Sequence, residues 1–123
     1  EIRRLIKNIK ETENNVTAEF TFEEGFVGFG GHFSGKSILP GVCYVECVLV
    51  LLEGCKGGEK ALKEIVQAKF YLPVFPNDTV SCELKNIECS GDDMCLSAVF
   101  LKENKKASEL KLRVCRKRPQ ENR

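Results

Sequence analysis

The chain has 123 residues, with 19 lysines and arginines against 18 aspartates and glutamates and a formal net charge of +1. That length fits a single domain spanning 1–123 with one core, and the even charge balance provides no global field of the kind that gathers nucleic acid. The longest apolar stretch, VCYV followed by CVLVLL, is interrupted by Glu46 and falls short of the ~20 apolar residues that cross a bilayer, so neither a nucleic acid nor a membrane is expected as a partner.

Residues 2–9 mix apolar and basic side chains, as a first strand or a short helix would. From Val16 to Phe22, the apolar Ala18, Phe20 and Phe22 alternate with Thr17, Glu19 and Thr21, the period of a strand with one buried face. A glycine-rich aromatic loop, EEGFVGFGG, follows. Pro40 and Gly41 then open a run from Val42 to Cys55 that Gly54 and KGG bring to a close. Its length and punctuation favour a helix, and because its centre is apolar on every side it is expected to be buried all round.

The second half reads as strands. IVQAKFYLPVF leads to a turn at Pro76–Asp78, and TVSCELKNIE alternates Val80, Cys82 and Leu84 with Ser81, Glu83 and Lys85. After the turn SGDD, MCLSAVFLK is more fully apolar and reads as a central strand. ENKK turns again, and ASELKLRVC alternates Leu110, Leu112 and Val114 with Glu109, Lys111 and Arg113. Short turns between successive strands make antiparallel hairpins. The basic run RVCRKR, Arg113 to Arg118, reads as a solvated, frayed end. The expected class is α+β, an antiparallel sheet curled around one long central helix.

Seven cysteines are present, at 43, 47, 55, 82, 89, 95 and 115. The count is odd, no signal-peptide pattern precedes them, and the first residue is Glu1 rather than methionine, as in a trimmed chain. No C-x-x-C pair occurs and there is one histidine, so no zinc site or other metal is expected. The expectation is a reduced, cytoplasmic protein whose thiols serve as small core hydrophobes.

GGHFSGKS, Gly30 to Ser37, matches the G-x-x-x-x-G-K-[ST] pattern of phosphate-binding loops. Such a loop needs a long helix directly after it, and Pro40-Gly41 interrupts that position. It also needs a strand-end acid for Mg²⁺, whereas Asp78, Asp92 and Asp93 all lie in turn-like surroundings. The alternative reading rests on His32, the single histidine, and Glu46, fourteen residues on and mid-way through the apolar run. A carboxyl shielded from water can hold its proton near neutral pH, and a neutral imidazole can accept one. Each also has a structural reading: a satisfied histidine, and a glutamate that reaches solvent or a lysine. Gly41 at the helix start offers free N–H groups and the positive end of the dipole. Together these are the parts needed to remove a proton α to a carbonyl and expel a β-hydroxyl.

GHFSGKSILPGVCYVE, Gly31 to Glu46, resembles the G-H-F-P-G-x-P-x-x-P-G-V-x-x-x-E signature of FabZ/FabA-type 3-hydroxyacyl-[acyl-carrier-protein] dehydratases. AKFYLPVFPNDTV is similar to the A-[KR]-F-x-x-P-V-x-P-G-D segment of the same family. The resemblance implies a hotdog fold, fatty acid biosynthesis, and conversion of 3-hydroxyacyl thioesters to trans-2-enoyl thioesters without a cofactor. It implies a homodimer or a hexamer built as a trimer of dimers, with His32 of one copy as base and Glu46 of the other as acid. Gly41 would polarise the thioester carbonyl through its N–H, and Phe33, Val42, Phe70 and Tyr71 would line the substrate site. The partner implied is an acyl carrier protein, for which Lys36 and Lys69 are candidate contacts. The chain departs from the pattern at Ser34 and Ser37, where prolines would stiffen the loop, at Asn77, where glycine would stand, and at Val50, where glutamine is common. Two other readings remain open on the same fold: a thioesterase, and a non-catalytic acyl-thioester-binding subunit or supporting half of a heterodimer.

Overall fold

The computed structural model describes residues 2–12, 15–24, 38–56 and 58–116. A 3-10 turn at Ile2–Leu5 leads into strand β1 (Ile6–Glu11), so the first residues are both helical turn and strand. Strand β2 (Val16–Thr21) precedes α1 (Gly41–Lys56), the one α-helix among the described residues. Four longer strands follow: β3 (Lys60–Phe70), β4 (Thr79–Ser90), β5 (Asp93–Lys102) and β6 (Lys105–Arg116). The six strands form one antiparallel sheet in the order β1-β2-β4-β5-β6-β3.

The alternation in the sequence has a direct structural counterpart. Val16, Ala18, Phe20 and Phe22 are buried, as are Val80, Cys82 and Leu84, and Leu110, Leu112 and Val114. They share one core with Cys43, Tyr44, Val45, Cys47, Val48, Leu51 and Leu52 of α1. The sheet therefore covers the helix with its apolar face, as the expected α+β class requires. The central position expected for MCLSAVFLK holds, since β5 lies between β4 and β6. Two residues with positive φ, Glu103 (52°) and Asn104 (64°), make the tight β5–β6 hairpin, the backbone twist that two-residue hairpins favour. Among the described residues no helix is long and apolar enough to cross a membrane.

Four expectations are corrected. Strand β3 ends at Phe70, before the turn at Pro76–Asp78, and it pairs with β6 rather than forming a hairpin with β4. Both edges of β4 are already taken by β2 and β5, so the free edge of β6 is where β3 adds. The helix is not buried all round: Val42 is 66% exposed and Glu46 is also exposed. One sheet wraps one side of α1 and leaves a stripe through Val42, Glu46 and Leu49 open or half-open. The basic end is not frayed up to Arg116, because β6 pairs with both β3 and β5 and Arg113 meets Glu64 at 3.3 Å; Lys117 and Arg118 lie outside the described residues. Finally, the thiols divide. Cys43, Cys47 and Cys82 are core, Cys55 and Cys115 are half-buried, and Cys89 and Cys95 are exposed.

Candidate active site

Pro40 accepts the first turn's hydrogen bond from the Cys43 N–H at 3.0 Å, and α1 begins at Gly41. The Gly41 N–H is therefore not consumed within the helix and sits at the positive end of its dipole. The approach at this position is close: a Cβ at position 41 would stand 3.2 Å from Cζ of Phe70, so the ring would have to shift by a few tenths of an ångström to admit one. Phe70 ends β3, half exposed, and leans on Tyr44 with ring centroids 5.5 Å apart. A pocket of about 320 Å³ opens beside the helix start, lined by Leu39, Gly41, Tyr44, Phe70, Tyr71 and Pro73 among others.

The segment after β3 is held as a rigid wall. The N–H groups of Tyr71 and Leu72 both donate to the Ala107 carbonyl, at 2.8 and 3.1 Å. Leu39 donates to Val74 O at 2.8 Å, which ties the approach to α1 to this wall. Asp78 accepts from the Phe75 N–H at 2.8 Å and pairs with Lys102 Nζ at 2.7 Å, and Lys102 also donates to Pro73 O at 3.0 Å. Asn77 adopts φ 71°, the left-handed conformation that asparagine tolerates in place of glycine, and donates its N–H to Phe22 O at 2.6 Å. The Tyr71 hydroxyl donates to Glu109 at 3.4 Å, with Lys106 Nζ 6.0 Å from the centre of its ring.

The structure thus brings Gly41, Phe70 and Tyr71 together around one pocket. It sets Val42 and Glu46 apart, on the open face of α1. His32, Phe33, Ser34, Lys36 and Ser37 lie outside the described residues, as does the whole of the sequence matching the phosphate-loop pattern. Lys69 is exposed on β3, opposite Glu109 of β6. Val50 is half-buried and lines a separate groove with Ile6 and Ile9 near the far end of the helix.

Two residues emerge that sequence reading passed over. Tyr44 packs edge-on to Phe100, with ring centroids 4.9 Å apart, as well as against Phe70. Its signal was that it is the one aromatic residue in α1. Ser108 is fully buried, and its Oγ has no hydrogen-bond partner among the described residues. Its signal was a hydroxyl in phase with Leu110, Leu112 and Val114.

Burial, then the neighbouring Cys47 and Cys43, pushes the Tyr44 phenol up to about 12, so it remains a neutral donor at physiological pH. Burial, followed by the charge of Glu46, raises the Cys43 thiol, and burial with Cys82 nearby raises Cys47 well above the usual range. These thiols stay protonated and are poor nucleophiles. Among the described residues no group of three His, Cys, Asp or Glu side chains could hold a metal ion. What the described residues offer is an apolar pocket with a helix N-terminus at its edge, suited to an acyl group with a polarisable carbonyl.

A family model for ApeI-like dehydratases matches residues 8–111. The chain belongs to the ApeI-like dehydratase family. Among curated relatives of this dehydratase-family chain, a 3-hydroxyacyl-[acyl-carrier-protein] dehydratase FabZ of Clostridium acetobutylicum is 31% identical over 98 residues, covering 71% of this chain and 68% of that enzyme. FabZ of Ehrlichia chaffeensis is 40% identical over 65 residues, covering 49% of this chain and 44% of the enzyme, so the chain aligns with only about half of some relatives. The solved dehydratase heterocomplex ApeI:P of Xenorhabdus doucetiae contains a similar chain, with a TM-score of 0.77 at 19% identity over 90% of this chain and 96% of that one. A thioesterase of Pseudomonas aeruginosa shares the fold with a TM-score of 0.66 at 12% identity, covering 89% of this chain and 79% of that one. The fold is the hotdog.

Proposed function

We propose that the protein dehydrates 3-hydroxyacyl thioesters, carried by an acyl carrier protein, to trans-2-enoyl thioesters at a site shared between two copies. The supporting observation is the placement of the two ends of the site. Gly41 faces a pocket of its own subunit, whereas Glu46, about one and a half turns further on, is exposed on the uncovered face of α1. A carboxyl in that place is available to a second subunit. In this reading, the imidazole of His32 takes the C2 proton while the Gly41 N–H stabilises negative charge on the thioester oxygen. The C3–O bond then breaks, and the proton of the partner copy's Glu46 converts the departing hydroxide to water. Proton transfer from the imidazolium back to the carboxylate, through water, resets both groups. Phe70 and Tyr71 would flank the acyl group, and Val42 would meet it from the helix edge.

The test is hydration of a crotonyl thioester, the reverse reaction, followed by loss of enoyl absorbance. His32→Ala and Glu46→Gln should each reduce turnover by ~10²-fold or more. Mixing the two variants should restore about a quarter of wild-type activity, because half of the dimers are mixed and each mixed dimer holds one intact site. No recovery on mixing would sink the shared site. The Xenorhabdus chain belongs to a heterocomplex, which favours a second reading, one half of a heterodimer. A wild-type protein that binds crotonyl thioesters without turning them over would support that reading.

A further inference from the structure

The pocket at Gly41 is near the small end of the range for ligand cavities, at about 320 Å³. Its inner wall is Tyr44, which is only 2% exposed. The reason lies in the register of three strands. Phe70 of β3, Ser108 of β6 and Phe100 of β5 stand directly opposite one another. The ring of Tyr44 packs against the outer two, with centroids 5.5 and 4.9 Å apart, and so bridges β3 and β5 on either side of Ser108, the small side chain between them. Phe100 and Ser108 are both fully buried, so the packing is closed behind the ring.

We propose that Tyr44 is a specificity-determining residue that closes the acyl pocket and restricts the enzyme to short acyl groups, of butanoyl to hexanoyl length. This rests on the reading above, in which the thioester carbonyl sits at the Gly41 N–H. An α-helix rises about 1.5 Å per residue, which puts Tyr44 about 4.5 Å beyond Gly41 along the axis. An acyl chain that starts at Gly41 and runs into this pocket meets the ring after a few carbons. Removing the ring while keeping the backbone would extend the pocket down to Ser108 and Phe100. The bulk of the ring sets the limit, and the phenol oxygen has no part in it.

The experiment compares crotonyl with trans-2-decenoyl coenzyme A thioesters for wild type, Tyr44→Phe and Tyr44→Ala. Wild type and Tyr44→Phe should both favour crotonyl by about tenfold or more in kcat/KM, whereas Tyr44→Ala should raise the relative rate with decenoyl by about tenfold or more. A wild type indifferent to chain length, or a folded Tyr44→Ala with the ratio unchanged within about twofold, would overturn the proposal. Tyr44→Leu, which keeps part of the volume, should give an intermediate ratio and serves if the alanine variant does not fold. Calorimetric binding of saturated butanoyl- and decanoyl-pantetheine to wild type needs no turnover. Tighter butanoyl binding by a catalytically inert protein would keep the role of Tyr44 and discard the dehydratase reading; tighter decanoyl binding would discard the role of Tyr44.

Discussion

Replacing Asp78 with alanine should cost this protein about 2–3 kcal/mol of stability, because two charge-assisted hydrogen bonds end on one carboxylate. The Phe75 N–H donates to it at 2.8 Å and Lys102 Nζ lies 2.7 Å away. Hydrogen bonds to charged groups contribute about 1.5–3 kcal/mol each. The two side chains are 18% and 27% exposed, so solvent screens part of this and the sum belongs near the lower end. For a domain of this size, that loss lowers Tm by roughly 10 °C. Burial alone would raise the pKa of Asp78, but the Lys102 hydrogen bond, the Phe75 N–H and the Lys102 charge outweigh it and hold the carboxyl below its usual value. A depressed folded pKa means that the contribution is intact above the unfolded value, about 3.9, and is lost as pH falls through the lower folded value. Thermal unfolding from about pH 7 down to pH 2 should therefore show Asp78→Asn losing less stability than wild type below about pH 4. A double-mutant cycle with Lys102→Met isolates the pair. A Tm change below about 2 °C for Asp78→Ala would show that water screens the pair as it does a surface bridge, and the rigid wall beside the pocket would need another explanation.

Three further outcomes are expected. Ser108→Ala should leave Tm unchanged or raise it, since it removes a buried hydroxyl without a partner among the described residues; thermal unfolding reads this directly, and a large loss would reveal a hidden partner. Gly41→Ala should change stability by no more than about 0.5 kcal/mol, because the half-exposed Phe70 ring can yield the few tenths of an ångström that a Cβ needs. The same change crowds the pocket mouth, so kcat/KM for crotonyl thioester hydration should fall while unfolding is unaltered. A disulfide reagent at neutral pH should label Cys89 and Cys95 first and reach Cys43, Cys47 and Cys82 only on unfolding, since burial excludes the reagent and raises all three thiols; peptide mapping after a short pulse would tell.

Much of this protein was legible in its order of residues. The period-two burial of β2, β4 and β6 follows from local alternation. The helix over Gly41–Lys56 lies between a Pro-Gly start and a glycine-rich stop. Asn77 stands where the family pattern has glycine, and the left-handed backbone it adopts is one that asparagine tolerates by its own nature. The two family blocks were also local, which is why the candidate acid, His32 and Gly41 could be named before any fold was known. The tertiary structure decided what depends on partners distant in sequence. Alternation states which face of a strand is buried but not which strand lies beside it, so the pairing of β3 with β6 emerged only when both edges of β4 were seen to be occupied. An apolar helix does not reveal how much of its circumference one sheet can cover, and here Val42 and Glu46 remain outside. The ring of Tyr44 joins the helix to Phe70 of β3 and Phe100 of β5, 26 and 56 residues further along the chain. No local rule encodes that meeting, because it depends on the register of three strands at once.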